Sequence, residues 1–436
     1  MRAVLHLIPA VAILSISCSS LAADEDDPQL LLRMQETIQQ QQQHLKQQSE
    51  QLKQQQIQLQ QLQQQISGLL KTSAPQTAAT GRADISEPGT PLTFAPPAVV
   101  SGNDRISLKL SGQVNRALNV VADGAGTTLY HVDNNVSNSR FRLIGTAELT
   151  KDLTLGSRLE VAFTADESSK VSQKDQAPGN YLNVRWAEIS LTSKTWGKIS
   201  LGKGNTASYF TAASDLSKTD IVLYSSVADI AGGILFRKKD GQLTNTALAD
   251  VFTDYDGLNV KSRLRYDTPE WNGFKLAGSL DSNQRSDLGL YWGGEGLGFQ
   301  GAAGFGLADP RLDASGLQYD GSFALLHKAT GLNLTLSGGL LEKRGSRDAY
   351  SFYGKLGWRA ELSSLGTTAF GVDYSRSDSS AAPGDRGISA GAAVVQEFRK
   401  AAAELYLQYR VYGLKMGDGT PVNDISVGTL GVRVKF

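Results

Sequence analysis

Read backwards from Phe436, the apolar Val434, Val432 and Leu430 alternate with Lys435, Arg433 and Gly431. Successive side chains of a strand point to opposite faces, so this segment has one oily and one charged face. The pattern recurs many times upstream, cut alternately by short turns and longer polar loops. A soluble β-sandwich also alternates, but nothing in a sandwich demands an apolar row facing outward on every strand. A closed barrel with lipid outside and water inside does demand it.

Composition is compatible with that reading. The 436 residues include 43 basic and 43 acidic side chains, 45 Gly and 40% apolar residues. Zero net charge gives no reason to expect nucleic acid as a partner. Beyond the extreme N-terminus no apolar run approaches the roughly 20 residues of a membrane-spanning helix. Residues 1–22 read as a signal peptide: Arg2, an apolar stretch from Val4 to Ile16, and the small-x-small site Ser20-Leu21-Ala22, with cleavage after Ala22 or Ala23. Cys18, the one cysteine, leaves with it. Lipidation of Cys18 is the alternative, though Ser15-Ile16-Ser17 is a poor lipobox. The mature chain enters an oxidising compartment with no disulfide to form.

Three regions follow. In residues 28–71, rich in Gln, Leu31, Ile38, Leu45, Leu52, Leu59 and Ile66 recur every seven residues, while Gln41, Gln48 and Gln55 interrupt the second seam row. This is a heptad pattern for an oligomerising coiled coil that needs a partner helix; a disordered Gln-rich tract is the alternative. Residues 72–104 carry Pro75, Pro88, Pro91, Pro96 and Pro97 among Thr, Ala and Ser, as an extended linker does. From 105 to 436 the alternation predicts sixteen strands, from Ile106–Val120 to Asp424–Phe436. Tight turns are expected at Lys151-Asp152, Lys194–Gly197, Pro269–Gly273, Gly293–Gly296, Lys328–Gly331, Ser363–Gly366 and Arg399–Lys400. The predicted fold is an all-β membrane protein, a 16-stranded antiparallel transmembrane barrel preceded by a helical coiled coil. Both ends of an even-stranded barrel return to the short-turn rim, so the coiled coil is expected in the periplasm.

The faces carry the chemistry. Leu258, Val260, Ser262, Leu264 and Tyr266 are assigned to lipid, Asn259, Lys261, Arg263, Arg265 and Asp267 to the lumen. Trp196, Tyr266, Trp271, Trp358, Tyr374, Tyr409 and Phe436 are assigned to interfacial girdles. The lumen rows hold Lys109, Arg140, Arg142, Arg158, Arg185, Lys198, Lys261, Arg263, Arg265, Arg359, Arg410 and Arg433, with Glu148, Glu160, Glu188 and Glu361 interleaved. Basic rings favour small anions in a pore, and guanidinium groups match carboxylates. An internal salt-bridge lattice that only stiffens the wall is the competing reading. About fifty residues, near 204–257, separate two strands. Their Tyr209, Phe210, Asp215, Lys218, Asp220 and Tyr224 suit a loop folded into the barrel as a constriction; a surface lid is the alternative.

These residues resemble a known family. Ser139–Phe163, with its Lys151-Asp152-Leu153 turn, is similar to the opening hairpin of Gram-negative trimeric porins. Arg185-Trp186-Ala187-Glu188-Ile189 followed by residues 196–203 resembles their unit before the constriction loop. Residues 263–274, with Tyr266-Asp267-Thr268-Pro269, resemble the hairpin after it, and Phe436 resembles their assembly signal. The N-terminal Gln-rich heptads make the chain look most like the DcaP-like porins. The resemblance implies a homotrimer in the outer membrane, inserted by the barrel-assembly machinery. It also implies passive uptake of small, preferentially negative solutes such as dicarboxylates and aromatic carboxylates. The expected constriction loop lacks a dense acidic run, which argues against strong cation preference.

Two other functions compete. The coiled coil and linker read equally as a tether, with the barrel as anchor and peptidoglycan or another periplasmic component as partner. An enzyme needs a nucleophile beside a base, or a metal cluster. The mature chain offers only His44, His131 and His327, far apart, so no catalytic, metal or cofactor site is expected. Removing residues 24–100 separates channel from tether: a pure channel keeps its conductance and its envelope attachment, whereas a tether loses the attachment.

Overall fold

The computed structural model describes residues 39, 43, 46, 47, 50, 53, 54, 99–103, 105–311 and 315–436. The chain divides into two units, Met1–Arg82 and Ala83–Phe436. In the first, the described Gln39, Gln43, Lys46, Gln47, Glu50, Lys53 and Gln54 are helical and exposed. The expected signal segment with Cys18 and the six seam residues from Leu31 to Ile66 lie outside the described residues. So does most of the expected linker, whose last residues instead begin the sheet.

In the second unit the strands are β1 (Val99–Gly102), β2 (Ile106–Ala122), β3 (Thr127–Asp133), β4 (Arg140–Glu148), β5 (Leu153–Ala165), β6 (Asn180–Ser193) and β7 (Gly197–Asn205). A long connection then carries β8 (Leu235–Arg237), β9 (Leu243–Ala247) and one helical turn, α1 (Leu248–Val251). There follow β10 (Val260–Asp267), β11 (Phe274–Asp281), β12 (Ser286–Gly296), β13 (Phe299–Asp309), β14 (Ser315–His327) and β15 (Leu332–Lys343). The last are β16 (Ala349–Ser363), β17 (Gly366–Asp378), β18 (Arg386–Phe398), β19 (Ala403–Lys415) and β20 (Ile425–Lys435). Sixteen of them, β2, β4 to β7 and β10 to β20, pair antiparallel in succession, and β20 closes on β2. Closure leaves the sheet no free edge, which is what hydrocarbon requires of a polar backbone.

All sixteen strands fall on the segments the alternation marked, with shifted ends. Leu258, assigned to lipid, is buried, because β10 begins only at Val260. Residues 293–296 belong to β12, and the turn is Leu297-Gly298, both with left-handed φ (51° and 82°). Two such residues make the tight hairpin turn whose twist matches the strands. The faces sort as the charges demand: Leu264 is 52% exposed on the outer face, while its neighbours Arg263 and Arg265 are buried. Trp196, Tyr266, Trp271, Trp358, Tyr374, Tyr409 and Phe436 are all outward and exposed.

Two departures from simple alternation shape the interior. First, β3 and β4 together form one neighbour of β2, with a gap between them. Arg116 of β2 faces Asp133, yet Gln113 faces Arg140, so residues 134–139 leave the sheet. They form a short 3-10 turn capped by the Asn134 side chain, and Asn134 Nδ2 donates to the Ile221 carbonyl inside the barrel (3.0 Å). Second, the connection after β7 folds inward and runs along the wall. Ser208 N donates to Asp287 of β12 (2.8 Å), Ser214 N donates to Ser322 of β14 (2.9 Å), and the Ala212 carbonyl accepts from Ser337 of β15 (2.7 Å). Asp215 is ion-paired with Lys355 of β16, and Lys218 with Glu397 of β18 (3.0 Å). The Val227 carbonyl accepts from Tyr412 of β19 (2.6 Å), and the Ile230 carbonyl from Asn119 of β2 (2.6 Å). The loop thus progresses round the barrel from β12 to β2.

Small wall residues make room for it. A Cβ at Gly304 would lie 2.6 Å from the Thr211 carbonyl oxygen, and one at Gly371 would lie 2.9 Å from the Leu223 side chain. Where the loop's second half crosses the wall, the interior is dry. Ile221, Leu223, Ile230, Phe236 and Phe252 pack against inward Tyr353, Tyr406, Tyr412, Ile425 and Val427. The inward row of β20 is therefore apolar where the loop covers it and ionised only further down, where the sequence pattern implied a wet lumen throughout. Arg237 of the loop reaches Asp123 (2.8 Å), and its carbonyl accepts from Asn423 N (2.7 Å), which ties β8 and β9 to the long-loop rim.

The outward row makes a direct test. An Arg at position 264 (Leu264→Arg) should cost about 2–4 kcal/mol of folding stability in vesicles if it sits near the bilayer midplane. Chemical unfolding monitored by Trp fluorescence reads this; a loss under about 0.5 kcal/mol would mean that the row does not face lipid.

Candidate functional site: a charged constriction

Three strands and one carboxylate build the centre of the basic side. Glu160 of β5 is fully buried and meets four guanidinium groups. Its Oε1 accepts from Arg185 (3.0 Å) and, more distantly, Arg140 (3.4 Å); its Oε2 accepts from Arg142 (2.6 Å) and Arg158 (3.1 Å). Arg140 and Arg142 come from β4 and Arg158 from β5, all on the inward parity. Arg185 is the extra residue of a bulge: Glu160 faces Trp186, while Val161 faces Val184. The bulge lets Arg185 and Trp186 both turn inward, which strict alternation forbids. Arg158 stacks on the Trp186 ring, 3.8 Å from its centroid. Beside this group, Arg433 (2.5 Å) and Lys435 (3.1 Å) share Glu404. Ser137 of the 134–139 excursion joins the two groups by accepting from Arg140 and Arg433, each at 2.8 Å.

The loop supplies the opposite side. Tyr209, Phe210, Asp220, Tyr224 and Asp229 from its first limb and Asp254 and Asp256 from its return limb line a cavity of about 530 Å3, together with Arg140, Arg142, Arg185, Arg433 and Lys435. The Tyr209 and Phe210 rings pack 4.2 Å apart, and Phe210 has a left-handed φ of 77°. None of the four aspartates is in an ion pair among the described residues. Asp229 accepts from Asn135 (3.0 Å), Asp254 from Ser225 (3.0 Å) and Asp256 from Ala212 N (3.0 Å). Enclosure by the barrel raises each of these carboxyls, and a neighbouring carboxylate adds to it at Asp220, Asp229 and Asp256. Asp229 is pushed up to about 7 by burial and then by Asp254. Burial and Asp254 hold Asp256 well above the usual range; burial and Asp215 raise Asp220.

The sequence-predicted residues divide into three sets. Arg140, Arg142, Arg185, Arg433, Tyr209, Phe210, Asp220 and Tyr224 meet at the cavity. Asp215 and Lys218 are wall anchors, and Lys109, Lys198, Lys261 and Arg359 face the lumen away from the cavity. Arg158, Arg263, Arg265 and Arg410 belong to the wall itself. Arg263 donates to the Asn205 carbonyl (2.7 Å) and pairs with Glu188 (2.7 Å); Arg265 donates to the Thr206 carbonyl (2.8 Å) and pairs with Asp267 (2.8 Å). Both hold the point where the loop leaves β7. Arg410 is fully buried on Asp373 (2.5 Å) and Ser389 (2.9 Å). The cavity also contains Lys435, Asp229, Asp254 and Asp256, which the sequence reading did not single out. Its acids are spread over 220–256 and become a cluster only when the two limbs meet.

A model of the Gram-negative porin family matches residues 72–433. The fold is similar to that of the in-vitro folded OmpT outer membrane protein of Vibrio cholerae in a trimer form, with 13% identity, TM-score 0.51, 76% of this chain and 100% of that one covered. It is similar to the anion-selective porin of Comamonas acidovorans at 15% identity and TM-score 0.51, over 76% of this chain and 100% of that one. The outer membrane channel DcaP of Acinetobacter baumannii is matched at 11% identity and TM-score 0.48, over 77% and 99%. At such identities the likeness is one of fold. No curated protein matches the chain in sequence.

The raised aspartates are measurable. Infrared difference spectra between about pH 5 and 9 should show a protonated-carboxyl band with a midpoint near the value of about 7 set by Asp229, diminished in Asp229→Asn. A single midpoint near 4, that of a free carboxyl, would remove the claim.

Proposed function

The chain belongs to the Gram-negative porin family, and on that footing we propose that its outer-membrane channel passes small hydrophilic solutes with a preference for anions, carboxylates included. The observation that carries the preference is the Glu160 group: four guanidiniums against one carboxylate leave a net charge of +3 on that side of the cavity. Guanidinium stays protonated throughout the physiological range. Opposite them Asp229, pushed up to about 7, carries less than full charge near neutrality, and enclosure raises Asp220, Asp254 and Asp256 as well. Fixed positive charge against weakened negative charge concentrates anions at the narrowest point.

The finer organisation is part of the same proposal. Three copies associate in the membrane, and the N-terminal heptads form a periplasmic coiled coil that supports the assembly. Enzymatic chemistry has no part in this reading.

The sign of a pH effect follows. A carboxyl with a raised pKa is charged above it and neutral below it, so acidification removes negative charge while the arginines keep theirs. Purified protein in a planar bilayer under a KCl gradient should give an anion-selective reversal potential. The selectivity should rise between about pH 8 and pH 6, the interval that brackets Asp229. Cation selectivity at both pH values would defeat the anion preference and leave the channel standing.

A further inference from the structure

Glu160 is an odd residue to find in an anion path. Its charge opposes the preference, and it is fully buried in the lumen wall. A buried carboxylate in such surroundings is held by what it bonds. A carboxylate has about four acceptor positions, and four guanidiniums address them, two at each oxygen. Three of these four, Arg140, Arg142 and Arg185, line the cavity, and Arg158 lies behind them against Trp186. Without a common partner, long like-charged side chains on adjacent strands repel and spread.

The donors differ in what the bond to Glu160 uses. Arg185 contributes Nε alone, and its terminal nitrogens make no further hydrogen bond among the described residues. Arg140 gives one terminal nitrogen to Glu160 and the other to Ser137 (2.8 Å). Its chain direction is thus fixed from two sides. The bulge at Arg185 brings its side chain to the same carboxylate from the next strand.

We propose that Glu160 is a positioning residue that makes the lumen arginines a saturable site for small oxyanions, phosphate or carboxylate, in place of a diffuse positive lining. This deepens the anion-channel reading and rests on it. A diffuse lining would attract any anion in proportion to charge. Guanidiniums held at fixed spacing offer several aligned N–H donors to one group with several oxygens, the geometry that favours phosphate and carboxylate over chloride.

The two roles of Glu160 predict opposite signs. If it only offsets charge, Glu160→Gln raises net positive charge and tightens oxyanion binding. If it positions the arginines, Glu160→Gln weakens binding although the lumen becomes more positive. Full-length protein in planar bilayers, with inorganic phosphate as the blocker of chloride current, distinguishes them. Wild type should show saturable block. In Glu160→Gln the half-blocking concentration should rise at least about tenfold, the equivalent of one charge-assisted hydrogen bond. Glu160→Asp keeps the charge but shortens the reach by about 1.5 Å, one C–C bond, and should lose block likewise. It decides the matter if Glu160→Gln does not yield a heat-modifiable barrel. Unchanged or tighter block in the folded variants, or wild type without saturation, would overturn the proposal. The KCl reversal potential, taken on the same channels, reports separately on the anion preference; in Glu160→Gln it should stay at least as anion-selective as wild type.

Discussion

The lipid-facing surface tolerates neither an open backbone edge nor a charge near its middle, and the rest of this molecule follows from those two prohibitions. The first makes the sheet close, β20 on β2. The second turns charge away from the middle of the lipid face, so that Arg263 and Arg265 are buried while Leu264 between them is 52% exposed. A chain sorted in this way collects its charge in a small volume. There, burial makes each group seek a partner, and the interior becomes a lattice of ion pairs before it becomes a passage.

That lattice has two uses for one residue type. Arg263, Arg265 and Arg410 spend their donors on Glu188, Asp267, Asp373 and backbone carbonyls, fixing the wall and the root of the inward loop. Arg140, Arg142 and Arg185 share a single carboxylate and keep a positive excess beside the cavity. The difference lies in stoichiometry. A one-to-one pair is closed electrostatically, whereas four cations on one anion are not.

The barrel was legible because its signal is local. Period two, polar turns and an outward apolar row can be read strand by strand, and all sixteen strands were found from them. What stayed hidden is non-local. The excursion at 134–139 obeys no period, since its place depends on β3 and β4 sharing β2 as a neighbour. Val427 and Ile425 look like any inward-facing pair until the loop covers them. The acidic side was read only in part for the same reason: Asp220 was assigned to the constriction, but Asp256, far along the chain, joins it only across the folded loop. Arg185 and Glu188, three residues apart, both bond inward-facing groups, a parity that only the bulge permits.

Loop and wall therefore depend on each other in a way that neither shows alone. The loop is anchored strand by strand through Asp287, Ser322, Ser337, Lys355, Glu397 and Tyr412, so its path is fixed by side chains that the barrel had to turn inward anyway. In return its apolar half fills one sector of the lumen and leaves a cavity in the sector where Glu160 gathers its arginines. Confinement strengthens the field of those fixed charges, because less solvent lies between them and a passing ion. It also raises Asp229 and Asp256 opposite, so that their negative charge is weakened. The same packing thus sets both the width of the cavity and the charge of the groups that line it.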